Sequence, residues 1–120
     1  MANYKSNLDA FVNLGVDVAY TELDIRMTLP SDQQKLNQQA TDYGNVVSAC
    51  AKTPRCVGVT TWGLSDAHSW VGGTFRGTGD ALPWSSSFQK KPAYYAILYA
   101  FGNGTMAAPG GATSTIGVAT

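Results

Sequence analysis

Apolar residues fall at Tyr4, Leu8, Phe11 and Val12 with polar residues between them. That spacing predicts a helix over residues 4–14 with a single apolar face. Gly15 stops it, as a residue that tolerates positive φ after a helix should. The next stretch, "VDVAYTELDI" at 16–25, is rich in β-branched and aromatic residues and predicts a strand. Pro30 and Ser31-Asp32 break the chain and supply a helix start. Beyond them Leu36, Ala40, Tyr43, Val47 and Cys50 recur at steps of four and three. This predicts an amphipathic helix that turns Gln38, Gln39, Asp42 and Asn45 outward. "CVGVTTWG" at 56–63 is a continuous apolar strand, expected to be buried on both faces if its sheet is parallel.

A long loop with Gly, Ser and Asp is expected from Gly63 to Lys91, and Pro92 opens a last helix, "AYYAILYAF". Residues 103–120 have no periodicity and read as a flexible linker or tail. Asn103-Gly104-Thr105 fits the N-glycosylation sequon, a short pattern that arises often by chance. The order helix, strand, helix, strand, loop, helix predicts an α/β fold with right-handed crossovers and a parallel sheet. Two strands do not make a stable sheet with both faces covered, so the pattern predicts part of a larger parallel structure.

Length changes this picture little: 120 residues suffice for one domain with a modest core. Eight basic and eight acidic side chains cancel, and no basic stripe marks a nucleic-acid binder. Charge is sparse at 13% against abundant uncharged polar residues, a composition that leans toward secretion. No apolar run approaches the ~20 residues of a membrane span. Residues 1–15 lack the apolar region of a signal peptide. Cys50 and Cys56 enclose "AKTPR". With one histidine in the chain they do not complete a zinc set. Two free core thiols or a disulfide remain; Pro54 bends the chain back between them and favours the disulfide, which implies an oxidising compartment.

The chemistry gathers at the strand ends. Glu22 is the chain's only glutamate, with Asp24 two residues on. Period-two alternation would put both on one side of the strand, where they could share a proton or one could hold the other. A functionless surface pair is the plain alternative. "WGLSDAHSW" supplies Trp62 and Trp70, whose faces suit a sugar ring or simply the core. Asp66 and His68 in the same stretch suggest a metal or catalytic pair only faintly. Gly77 and Gly79 lack the third glycine of a phosphate loop.

Together "VDVAYTELDIRM", "ATDYGNVVSACAKTPRCVGVTTWGLSDAHSW" and "KKPAYYAI" resemble the C-terminal portion of family 10 glycoside hydrolases, the endo-1,4-β-xylanases, from about Asn3 to Phe101. The resemblance implies a (β/α)8 TIM barrel that cleaves xylan with retention of configuration. Residues 1–102 would hold about strands seven and eight with their flanking helices. It implies Glu22 as nucleophile, and Asp24 as the residue that orients it together with a histidine from strand six. It places Trp62 under the sugar beside the scissile bond and Trp70 over the same subsite. Cys50 and Cys56 resemble a disulfide pair of many fungal members. Ser85, Ser86 and Lys90 depart from the family pattern, which bears on the outer loop and not on the nucleophile. The proton donor of the family is a second glutamate on strand four, and this chain has none. A partial chain is therefore expected, inactive alone, from a secreted enzyme whose signal peptide lies upstream. That enzyme would work as a monomer on xylan, with no cofactor, metal, nucleic acid or membrane partner. The alternative is a non-catalytic carbohydrate-binding module or an inactive structural remnant.

Overall fold

The structure is a computed structural model and describes residues 3–102; the tail and the Asn103 sequon lie outside the described residues. Helix α1 runs Tyr4–Val12, capped by Asn3, whose side chain accepts from the Ser6 N–H at 3.2 Å. Gly15 follows at φ +89, the left-handed turn expected of it. Strand β1 is Val18–Leu23 and a two-residue strand β2 is Met27–Thr28. Helix α2, Gln33–Ala51, starts where Asp32 accepts from the Lys35 N–H at 2.8 Å. Strand β3 is Cys56–Thr61, and helix α4 is Pro92–Phe101 with proline in its first turn, as predicted.

β1 and β3 pair in parallel, as expected, with α2 in the connection between them. The core between sheet and helices centres on Leu8, Ala49 and Cys50, with Tyr4, Val18, Tyr20 and Val59 packed against it. Cys50 and Cys56 form the disulfide, joining the end of α2 to the start of β3. Burial of Tyr20 in this cluster raises the pKa of its phenol, and Tyr4 beside it adds to the shift.

Three expectations need correction. β3 is parallel but not buried on both faces: Val57 is 70% exposed, because only the helical side of the sheet is covered here. Gln39 does not face outward. It is buried, and its amide donates to the carbonyls of Ile25 and Asp80 at 2.7 and 2.6 Å. The residues after β1 and the end of the long loop pack over that face of α2, so its covered arc is wider than the sequence stripe. The 63–91 segment is not an irregular loop throughout. It contains a 3-10 turn at Asp66–His68, a one-turn helix α3 at Val71–Thr74, and strand β4 at Thr78–Gly79, antiparallel to β2.

Candidate active site

A parallel pair of strands brings its C-terminal ends to one edge, and the candidate residues meet there. Leu23 lies opposite Thr61, and the Trp62 N–H donates to the Leu23 carbonyl at 2.9 Å. Glu22 and Trp62 are thereby held at the same end of neighbouring strands. Glu22 is exposed, and its carboxylate makes no hydrogen bond or ion pair among the described residues. Gly63 turns the chain away from β3 at φ +122. A Cβ there would stand 2.8 Å from the Leu82 side chain, so glycine is needed for both conformation and space.

Regular alternation does not carry through to Glu22 and Asp24. The pairing slips between Tyr20 and Leu23, where β1 advances three residues against two in β3. The strand then ends at Leu23, so Asp24 belongs to the segment beyond it. Asp24 accepts from the indole Nε1–H of Trp70 at 2.8 Å through Oδ2. Asp24 and Trp70, expected to serve separate tasks, are partners across 46 positions.

That bond is one of a series. The Ile25 N–H donates to the Ala81 carbonyl at 3.0 Å, and the Arg26 guanidinium lies 3.9 Å from the centre of the Phe75 ring. Met27 and Thr28 pair with Gly79 and Thr78, and the Leu29 N–H donates to Gly77 at 2.9 Å. Every residue from 24 to 29 has a partner in the loop that carries Trp70. Trp62 and Trp70 are both about half exposed, at 49% and 47%, and so present ring surface to solvent.

The back of the loop is held by groups that no local pattern signals. Lys91 Nζ donates to Asp66 Oδ2 at 2.9 Å and to the carbonyls of Asp80 and Leu82 at 2.7 and 2.8 Å. Asp66 Oδ1 accepts from the Leu82 N–H at 2.8 Å. Tyr43 donates its hydroxyl to the Ala81 carbonyl, and burial drives its pKa far upward. Burial also raises the pKa of Asp66, while the Lys91 and Leu82 hydrogen bonds pull the other way. Asp66 thus turns inward to Lys91 and is not paired with His68, whose ring lies 6.1 Å from that of Phe88. The signal for Lys91 was at most the proline after it, which fixes a helix start but not a partner 25 residues back.

Residues 1–100 match the sequence profile of Glycosyl hydrolase family 10, and the chain belongs to that family. Among characterised relatives it is 54% identical over 105 residues to endo-1,4-β-xylanase D of Talaromyces funiculosus, covering 88% of this chain and 26% of that protein. It is 60% identical over 86 residues to endo-1,4-β-xylanase B of Humicola insolens, covering 72% of this chain and 24% of the other. Among solved structures, a glycosylated endo-β-1,4-xylanase from Gloeophyllum trabeum superposes with a TM-score of 0.77 at 46% identity, over 80% of this chain and 30% of its own. Xylanase 10B of Thermotoga petrophila, solved with xylobiose, gives 0.78 at 34% identity, over 82% and 32%. The chain spans about a quarter of the length of these curated relatives. Among the described residues no helix is long and apolar enough to cross a membrane.

Proposed function

We propose that residues 1–102 form the C-terminal part of the catalytic domain of a secreted, retaining endo-1,4-β-xylanase. In this reading β1 and β3 are strands seven and eight of a (β/α)8 barrel, and Glu22 is the nucleophile. The supporting observation is the placement of the chain's one glutamate. It stands at the C-terminal end of a parallel strand, where barrel enzymes keep their chemistry, beside Trp62 and next to the Asp24–Trp70 pair. The disulfide supports an oxidising destination.

Retaining hydrolysis uses two carboxyl groups about 5–5.5 Å apart. An ionised Glu22 attacks the anomeric carbon while a protonated carboxyl gives its proton to the departing glycosidic oxygen. The covalent glycosyl-enzyme is then hydrolysed by water, which the second carboxylate deprotonates. The family resemblance makes the proton donor a second glutamate, and Glu22 is the single glutamate of this chain, so in this reading the donor is supplied from outside residues 1–102. Asp24 accepts the Trp70 indole N–H at Oδ2 and keeps Oδ1 to orient the nucleophile through a further group such as a histidine. Trp62 and Trp70 provide the faces on which xylose rings of xylan stack.

The test joins residues 1–102 to the upstream three quarters of a relative such as the Talaromyces funiculosus enzyme. The restored barrel should hydrolyse xylan, and an activated 2-fluoro-xyloside should label Glu22, as read by peptide mass spectrometry. Label on Asp24, or undiminished turnover in Glu22→Gln, overturns the assignment. The half-exposed tryptophans also favour a second reading, sugar binding without chemistry; that one predicts xylo-oligosaccharide binding by the restored barrel with no label and no turnover.

A further inference from the structure

We propose that Arg26 and Phe75 are positioning residues for Trp70, closing a latch whose fourth member is Asp24. A half-exposed indole on a loop would normally exchange rotamers on a fast timescale. Its one hydrogen bond, Nε1–H to Asp24 at 2.8 Å, fixes a point but leaves the ring free to pivot about it. Phe75 removes that freedom. It sits edge-on to Trp70 with centroids 5.4 Å apart and planes at 72°, a favourable aromatic geometry. The single turn of α3 sets the spacing, since the Phe75 N–H donates to Val71 at 2.8 Å and brings positions 70 and 75 together. Phe75 is in turn covered by the guanidinium of Arg26 at 3.9 Å.

The four side chains form a series of contacts, Asp24 to Trp70 to Phe75 to Arg26, whose two ends are joined by the backbone of residues 24–26. Asp24 and Arg26 leave the end of β1 on alternate positions, and Trp70 and Phe75 answer from the loop. The plane of the indole is thus set from the segment that follows Glu22, by a phenyl ring and the cation that covers it. Neither Arg26 nor Phe75 is assigned contact with sugar. Their effect on sugar passes through the orientation of Trp70, and this consequence rests on the reading of Trp70 as a sugar platform.

The test uses the 120-residue chain with 15N-labelled tryptophan and follows hydrogen exchange at the three indole N–H groups. Phe75→Leu should speed exchange at Trp70 by about 2- to 12-fold. Arg26→Gln should speed it by about 2- to 5-fold, and Arg26→Lys, which keeps a cation, should stay nearer the parent rate. Trp84, packed edge-on to Tyr94 with centroids 5.3 Å apart and outside the latch, should be unchanged in all three. Unchanged exchange at Trp70 in Phe75→Leu, with Trp84 still at its parent rate, overturns the latch. If Phe75→Leu unfolds the chain, all indoles speed up together and the exposed Arg26→Gln variant decides in the same way. Titration of the restored barrel with xylotriose separates the two readings. Faster exchange at Trp70 in the variants without xylotriose binding by the restored barrel leaves the latch standing and removes the sugar platform. Xylotriose binding with Trp70 exchange unchanged in the variants does the reverse.

Discussion

Replacing Lys91 by methionine tests whether the long loop is held by one buried ammonium. The side chains of Lys91 and Asp66 are 6% and 4% exposed, and Lys91 uses all three of its N–H donors on Asp66, Asp80 and Leu82. Methionine keeps the stem and removes the charge. Asp66 is then a buried carboxylate with only the Leu82 N–H, and two loop carbonyls lose a donor. Removing one partner of a buried pair costs about 3–5 kcal/mol, a large share of the roughly 5–15 kcal/mol that stabilises a small domain. The pH dependence identifies the cause. Asp66 already has a raised pKa from burial, so the folded chain binds its proton more tightly than the unfolded chain. Its contribution to stability is full below the ordinary aspartate pKa and is lost as pH rises through the raised value. Deleting Lys91 removes the hydrogen bond and charge that oppose the shift. The loss then grows and extends to higher pH. Urea denaturation read by near-UV circular dichroism should find Lys91→Met about 3–5 kcal/mol less stable than the parent near pH 7, with the gap narrowing toward pH 4. In Asp66→Asn/Lys91→Met the gap should no longer depend on pH over that range. A gap below about 1 kcal/mol at neutral pH, the value of an exposed pair, or one that widens on acidification, would refute the reasoning.

Thiol titration of the denatured, unreduced chain should detect no free sulfhydryl, and removal of both cysteines should cost somewhat less than the ~3 kcal/mol estimated for a 15-residue loop, since Cys50 and Cys56 are six apart. Gly63→Ala should lower stability by about 1–3 kcal/mol, the scale of a strained backbone position, because alanine meets both φ +122 and Leu82; a thermal melt indistinguishable from the parent would count against that account. If the proton donor lies outside this chain, as proposed, the isolated chain should release no reducing sugar from xylan, since general acid catalysis is worth roughly 10²–10⁴-fold; rates typical of a whole family enzyme would disprove this. In the restored barrel Glu22→Asp should lose about 10²-fold or more, as expected when a reacting atom is withdrawn by a methylene's length.

Elements governed by near neighbours were legible in the sequence. The steps from Leu36 to Cys50 located α2, Asp32 located its cap, Gly15 its predecessor's end and Pro92 the start of α4. Glu22 stands out as the single glutamate at a strand end, and Trp62 and Trp70 as aromatic faces that suit a sugar ring or the core; the strand ends bring Glu22 and Trp62 together. Long-range polar contacts were not legible. Gln39 looks like any solvent-facing glutamine until the backbones of Ile25 and Asp80 arrive from 14 and 41 residues away. Lys91 reads as a surface lysine because nothing local tells of Asp66. The slip beside Glu22 was invisible for a related reason: register is a property of two strands, and β3 is read 33 residues later than β1.

That slip has a counterpart. Between Val18 and Tyr20, β1 advances two residues while β3 advances three, from Cys56 to Val59; between Tyr20 and Leu23 the counts are reversed. The excesses cancel, five steps on each strand, and Leu23 finishes level with Thr61. Each strand is therefore a correction to the other's length. A one-residue deletion near Thr21 would make both strands advance equally beyond Tyr20 and leave Leu23 level with Thr61; one near Gly58 would do the same between Val18 and Tyr20. Loss of Ala19, where β1 is already one residue short, would instead pull Glu22 out of line with Trp62. Single deletions are therefore expected to be tolerated where a strand carries the excess and not where it carries the deficit.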